Sequence, residues 1–127
     1  MSSPNLKRTS LLRPNGFYEN YLGGLNSGSD VTVSTDRLTG IYTLTRTASN
    51  VIKMFVNKIL KHSRTTASTG LTEYQIYIGA NNSYGVTQYF ENDSIAGYAL
   101  GGGLTQTEVE QETDILQYFR DNIIATL

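Results

Sequence analysis

From Phe17 to Leu104 the chain is a succession of short apolar or alternating runs, each closed by a Gly, Asn, Asp or Ser cluster about every 8–12 residues, the pattern of a β-sandwich or barrel. Phe17–Leu22 is aromatic and ends at Gly23-Gly24. Val31–Val33 follows, then a turn around Asp36–Gly40. Ile41–Thr47 alternates, with Ile41, Thr43 and Thr45 on one face and Tyr42, Leu44 and Arg46 on the other. Val51–Val56 is apolar apart from Lys53, and Lys58–Ser63 reads as a polar strand. Thr72–Ala80, Thr87–Phe90 and Ile95–Leu100 complete the set. At 127 residues this is one domain, with room for a core of limited size. Nine Tyr, no Trp and many Thr, Ser and Asn suit strands with one wet face.

The two ends differ from the middle. Residues 1–16 contain both prolines and no clean period, which predicts an extended arm anchored by Leu6, Leu11 and Leu12. Residues 105–127 predict a C-terminal amphipathic helix. Thr105 and Glu108 form a capping box, and Val109, Leu116, Phe119, Ile123 and Leu127 fall near helical spacing. The formal net charge is −1, so no global field draws the chain to nucleic acid or an acidic membrane. Locally, Lys7, Arg8 and Arg13 make the arm basic, while Glu108, Glu110, Glu112, Asp114 and Asp121 outweigh Arg120 in the helix. Residues 14–104 balance, six acids against six bases. Arm and helix of neighbouring copies can attract each other; two unrelated solvated segments are the plain alternative.

Three segments carry a resemblance. They are Thr39–Asn50 with its Arg46-Thr47-Ala48-Ser49-Asn50 stretch, Tyr74–Asn82 with Tyr77-Ile78-Gly79-Ala80, and Ile95–Thr105 with Gly101-Gly102-Gly103-Leu104-Thr105. In this order they resemble the C-terminal half of laminin-G-like, concanavalin A-like jelly-roll domains, over roughly residues 16–126. The similar version occurs in bacteriophage and prophage proteins and in surface proteins of their hosts. The resemblance implies a mainly β, antiparallel jelly-roll sandwich, complete or partial: an arm over 1–16, a sandwich over 17–104, and a helix over 105–127 packed on it. Gly79, Ala96 and Gly97 are then expected to allow close sheet packing. Where the family has Asn-Gly after the Val51 strand, this chain has Asn57-Lys58, which predicts a strained or longer turn. Complete sandwiches of this type run to about 200 residues. Fewer strands leave open edges for a partner or a second copy to fill, unless the arm replaces what is missing.

Chemistry-bearing residues are sparse. With no cysteine, neither disulfides nor thiolate chemistry is available. His62, the only histidine, lies beside Lys61 and Arg64 and has no evident catalytic partner. Glu91 and Asp93 would share a strand face, as paired glycosidase carboxylates do. The third acid of that pattern is replaced by Ile95 and Ala96. Asp93 with Asn81, Asn82 or Asn92 has oxygen ligands enough for calcium, but a hydrogen-bonded turn explains them as well. Gly101–Gly103 before a helix lacks the Lys and Ser/Thr of a phosphate loop, and the helix opens with acids. The polar loop Asn81–Gly85 makes Asn82, Tyr84 and Tyr89 the glycan-binding candidates, against a turn with a surface tyrosine.

The expectation is therefore a non-enzymatic structural module of a larger assembly, a bacteriophage virion protein that decorates a capsid or forms a fibre, with Lys7, Arg8, Leu11, Leu12 and Arg13 as its assembly arm. No catalytic residue, metal or cofactor is expected. The expected partners are other chains of the assembly, in a homo-oligomer or with a capsid or fibre protein, and a surface glycan. Nucleic acid and membrane insertion are not expected. With no signal-like apolar run, the chain is expected to be made in a host cytoplasm and to reside in the virion. The alternative is a freestanding carbohydrate-binding, lectin-like module; the remnant of a glycan hydrolase is a third reading.

Overall fold

The computed structural model describes residues 10–15, 18–24, 31–33, 40–69, 76, 80–83, 86–88, 95 and 97–126. They form a mainly β, antiparallel arrangement with one C-terminal helix. Strands β1 (Ser10–Asn15), β2 (Tyr18–Gly24) and β3 (Val31–Val33) make one antiparallel sheet, in that order. Strands β4 (Tyr42–Ala48), β5 (Val51–Val56) and β6 (Ile59–Thr65) make a second. Strands β7 (Asn81–Ser83) and β8 (Val86–Gln88) pair as a two-stranded ribbon. Helix α1 spans Gln106–Asn122 and leads into a 3₁₀ turn, Ile124–Thr126.

Strand β5 is the centre of the second sheet because its sequence is apolar on both sides. Ile52, Met54 and Val56 point to one face, where Tyr42 and Leu44 of β4 pack against them. The register agrees, since Tyr42 lies opposite Val56 and Leu44 opposite Met54. Phe55 is buried on the other face, across from Thr43. Truncating a residue such as Ile52 to Ala costs about 2–5 kcal/mol. Strand β6 is exposed along nearly its whole length, as an outer strand with charged side chains should be.

Two tight connections fix the register. Ser49 and Asn50 join β4 to β5, and β4 carries one extra residue between Thr45 and Ala48. Arg46, at that bulge, donates from Nη1 to the carbonyls of Ser49 and Thr66, each at 3.0 Å. Burial lowers the Arg46 guanidinium from its ordinary value, and these two carbonyls offset the lost water. Asn57 and Lys58 join β5 to β6, with φ of 48° and 75°. Positive φ at both central residues is the type I′ hairpin, whose twist matches that of the strands. The turn is therefore two residues and not longer, with Lys58 in the region that glycine occupies most easily. Asn57 also anchors the start of β4: its Oδ1 accepts from Ile41 N–H, and its own N–H donates to Ile41 C=O, both at 2.9 Å.

Several expectations are refined or corrected by the structure. Ser10–Asn15, within the expected extended arm, pair with β2 as a strand, which leaves the arm reading in place, and Pro14 sits where an outer strand tolerates it. Residues 1–9 lie outside the described residues. Asn81–Ser83 are a strand rather than part of a loop. Ile95 and Gly97–Leu100 form no strand: Gly97 interrupts the apolar run, and Tyr98 and Leu100 stand in solvent. A Cβ on Gly97 would meet nothing, so no close sheet contact requires glycine there. Of the expected Thr72–Ala80 strand, only Ile76 and Ala80 are described, neither in a strand; Gly79 and Ala96 also fall outside.

Candidate assembly surface

The surface begins with how α1 is held. Thr45, buried on β4, donates its hydroxyl to the Leu104 carbonyl at 2.9 Å and accepts from the Leu104 N–H at 2.7 Å. One side chain thus satisfies both backbone groups of the residue before the helix cap. Next to it, a Cβ on Gly103 would overlap the Arg46 carbonyl, so only glycine lets the chain lie this close to β4. The capping box then starts the helix. Glu108 N–H donates to the Thr105 hydroxyl, while Thr105 N–H and Oγ1 both donate to Glu108 Oε2 at 2.8 Å. Thr105, first through its backbone N–H and then its hydroxyl, holds the Glu108 carboxyl below its ordinary value.

A second tie lies nine residues on. Lys58, at the β5–β6 turn, pairs with Asp114 at 2.5 Å. From Thr45 to that turn is about 15 Å of strand, and from Thr105 to Asp114 is about 14 Å of helix. The two ties therefore lay the first half of α1 along the face carrying Thr45 and Phe55. Val109 and Thr113 are fully buried, and Leu116 is half-buried. Thr113 is tolerated because its hydroxyl donates to its own helix, to Val109 C=O at 2.7 Å.

Beyond Asp114 the helix has about two turns still to run. Apart from Leu116, its large apolar side chains there are open to solvent: Ile115 is 67% exposed, Tyr118 67%, Phe119 49% and Ile123 45%. These positions follow i, i+3, i+4 and i+8 spacing, so they form one stripe. Glu112 and Glu108 continue it toward the N-terminus, three residues before Ile115 and then four more. Of the residues expected at helical spacing, Val109 and Leu116 are covered, Phe119 and Ile123 are open to solvent, and Leu127 lies outside the described residues. Val109, Thr113 and Leu116 make the covered side of the helix, and Phe119 and Ile123 border an outward stripe centred on residues the sequence did not single out.

Charge is also segregated. Residues 40–69 hold Arg46, Lys53, Lys58, Lys61 and Arg64 with no acid, against a net −4 on α1. Lys58–Asp114 is the ion pair that joins these two regions among the described residues. His62 is half-buried on β6, opposite Met54.

Of the three glycan candidates, only Asn82 falls among the described residues. Asn82 is described only as a backbone position in β7, and Tyr84 and Tyr89 lie outside the described residues, as do Glu91–Asp93. Lys7 and Arg8 lie outside as well, while Leu11, Leu12 and Arg13 are backbone positions of β1. Among the described residues, no three His, Cys, Asp or Glu gather as a metal site requires. No described helix is long and apolar enough to cross a membrane. Comparison with family models, curated proteins and solved structures finds no match.

Proposed function

We propose that this chain is a non-enzymatic structural module that works as a part of a larger assembly. The observation carrying the reading is the outward stripe on the second half of α1. Solvent-facing Ile115, Tyr118 and Phe119 at helical spacing make a contiguous apolar strip, and such strips beside polar residues mark protein-docking surfaces more than chance exposure does. The first half of the same helix is fastened by a capping box, Thr45 and Lys58, so the strip is presented on a rigid element.

Within that reading, the resemblance of Arg46–Asn50 and Gly101–Thr105 to phage jelly-roll domains supports a virion protein, decorating a capsid or forming a fibre. Thr45–Leu104 and Arg46–Gly103 contacts give those two segments a shared structural role. The test is the mass of the purified chain by light scattering, alongside its retention on immobilised sugars. An assembly part is expected to exceed the monomer mass as concentration rises and to pass the sugars unretarded. A strict monomer held back by a sugar contradicts the proposal.

A further inference from the structure

We infer that two copies of this chain pair through the outward stripe of α1, with the helices antiparallel about a two-fold axis at Phe119. The inference rests on the assembly reading and names the partner as a second copy.

The stripe matches itself in one direction only. Its apolar part runs from Ile115 to Ile123, with Phe119 at the midpoint. Turned antiparallel about Phe119, Ile115 of each copy comes opposite Ile123 of the other. The two Phe119 rings meet at the axis, where an offset or edge-to-face contact suits them. Every contact is made twice, as a two-fold interface requires. Charge selects the direction. Glu108 and Glu112 lie about 16 and 10 Å from Phe119 toward the N-terminus, whereas the helix ends at Asn122, about 5 Å beyond Phe119. In the antiparallel pair both acids therefore pass the end of the partner helix. In a parallel pair Glu108 would face Glu108 and Glu112 would face Glu112, a like-charge cost at each.

Shape and area agree with this. At about 100° per residue, Ile115, Tyr118, Phe119 and Ile123 centre about 110° round the helix from Val109, Thr113 and Leu116, so the covered side stands clear of the contact. The segment tied to the sheet, Thr105 to Asp114, centres about 14 Å from the axis. The two tied segments are then about 28 Å apart along the helices, which keeps the sheets they rest on separate. The four exposed side chains leave on the order of 450 Å² open in each copy. Covering both patches buries about 900 Å², more than most chance contacts and less than the about 1,200 Å² of a stable complex. The pair is therefore a weak one, formed at micromolar or higher concentration.

The test uses sedimentation equilibrium on the full chain, with helix content followed by circular dichroism. The mass is expected to rise with concentration and level at twice 14.0 kDa. Phe119→Asp sets two carboxylates against each other at the axis and is expected to raise the concentration for half-association about tenfold or more. Because the chain has no cysteine, single cysteines report the register. Phe119→Cys lies on the axis and is expected to give a disulfide-linked dimer under mild oxidation, while Glu108→Cys, about 33 Å from its mate, stays unlinked. If Glu108→Cys links as readily as Phe119→Cys, the helices are not antiparallel and the inference fails. A wild-type mass that grows past the dimer, or a dimer that Phe119→Asp leaves intact, overturns it while the assembly reading stands. If Lys7→Glu/Arg8→Glu abolishes association and Phe119→Cys forms no link, the occupant of the stripe is the basic arm of another copy and not its helix. A wild type that stays monomeric at every concentration overturns both.

Discussion

Lys58 gives the sharpest stability prediction. Its φ of 75° places a side chain with a Cβ in the left-handed region, which costs about 1–2 kcal/mol. Replacing it with Gly removes that strain but raises unfolded-chain freedom, worth about 0.4–1 kcal/mol in the other direction. It also deletes the pair with Asp114. The side chains of Lys58 and Asp114 are 39% and 62% exposed, so solvent screening leaves that pair no more than about 0.5 kcal/mol. Lys58→Ala deletes the same pair and keeps the Cβ, so comparing the two variants isolates the backbone. Lys58→Gly should be more stable than Lys58→Ala by about 1 kcal/mol, near 4 °C in Tm for a chain of this size. Urea unfolding followed by circular dichroism measures it, with unchanged m-values required for the comparison. Equal or greater stability of the Ala variant refutes the two-residue I′ turn. The same pair of variants in an Asp114→Asn background should differ by the same amount, because turn strain and ion pair are separate terms.

Other predictions follow from the junction that holds α1. Gly103→Ala forces a Cβ onto the Arg46 carbonyl and should cost about 1–3 kcal/mol, whereas Gly101→Ala and Gly102→Ala meet nothing and should change stability by less than about 0.5 kcal/mol; parallel thermal melts read the contrast. Thr45→Val keeps the shape but strips both hydrogen bonds from Leu104, and chemical unfolding should register a loss of about 1–3 kcal/mol. Thr105→Ala removes the cap and should cost about 1 kcal/mol. Glu108 has a carboxyl lowered in the folded chain, so its contribution is complete above the unfolded value and is lost as pH falls through the folded one. Helical signal at 222 nm in an acid titration should therefore decline over that window, and Glu108→Gln should flatten the decline.

Some of this was readable in the sequence because local chemistry decided it. Thr105 and Glu108 announce the helix start regardless of what the helix packs on. Alternation in Ile41–Thr47 and the apolar run Val51–Val56 place β4 and β5, since a strand with both faces apolar has to be central. The orientation of α1 was hidden for a physical reason. The helix carries two apolar strips, Val109–Leu116 and Ile115–Ile123, and their spacing alone does not say which meets the sheet. Thr113 settles it only once its hydroxyl is seen bonding to Val109, which lets a polar residue sit in the buried strip. The basic sheet was hidden by averaging. Residues 14–104 balance overall, yet five of their six cations fall within 40–69, where no acid stands. Ile95–Leu100 misled because apolar content imitates a strand, while strand formation needs a ladder partner as well.

The most direct test of the account compares the wild type with an Ile115→Asp/Phe119→Asp variant in a light-scattering dilution series. Both substitutions lie on the outward stripe, so the helical signal should be unchanged. The account predicts a wild-type mass that climbs above 14.0 kDa with concentration and a variant that stays at it. A wild type fixed at the monomer mass throughout, or a variant that associates equally well, contradicts it.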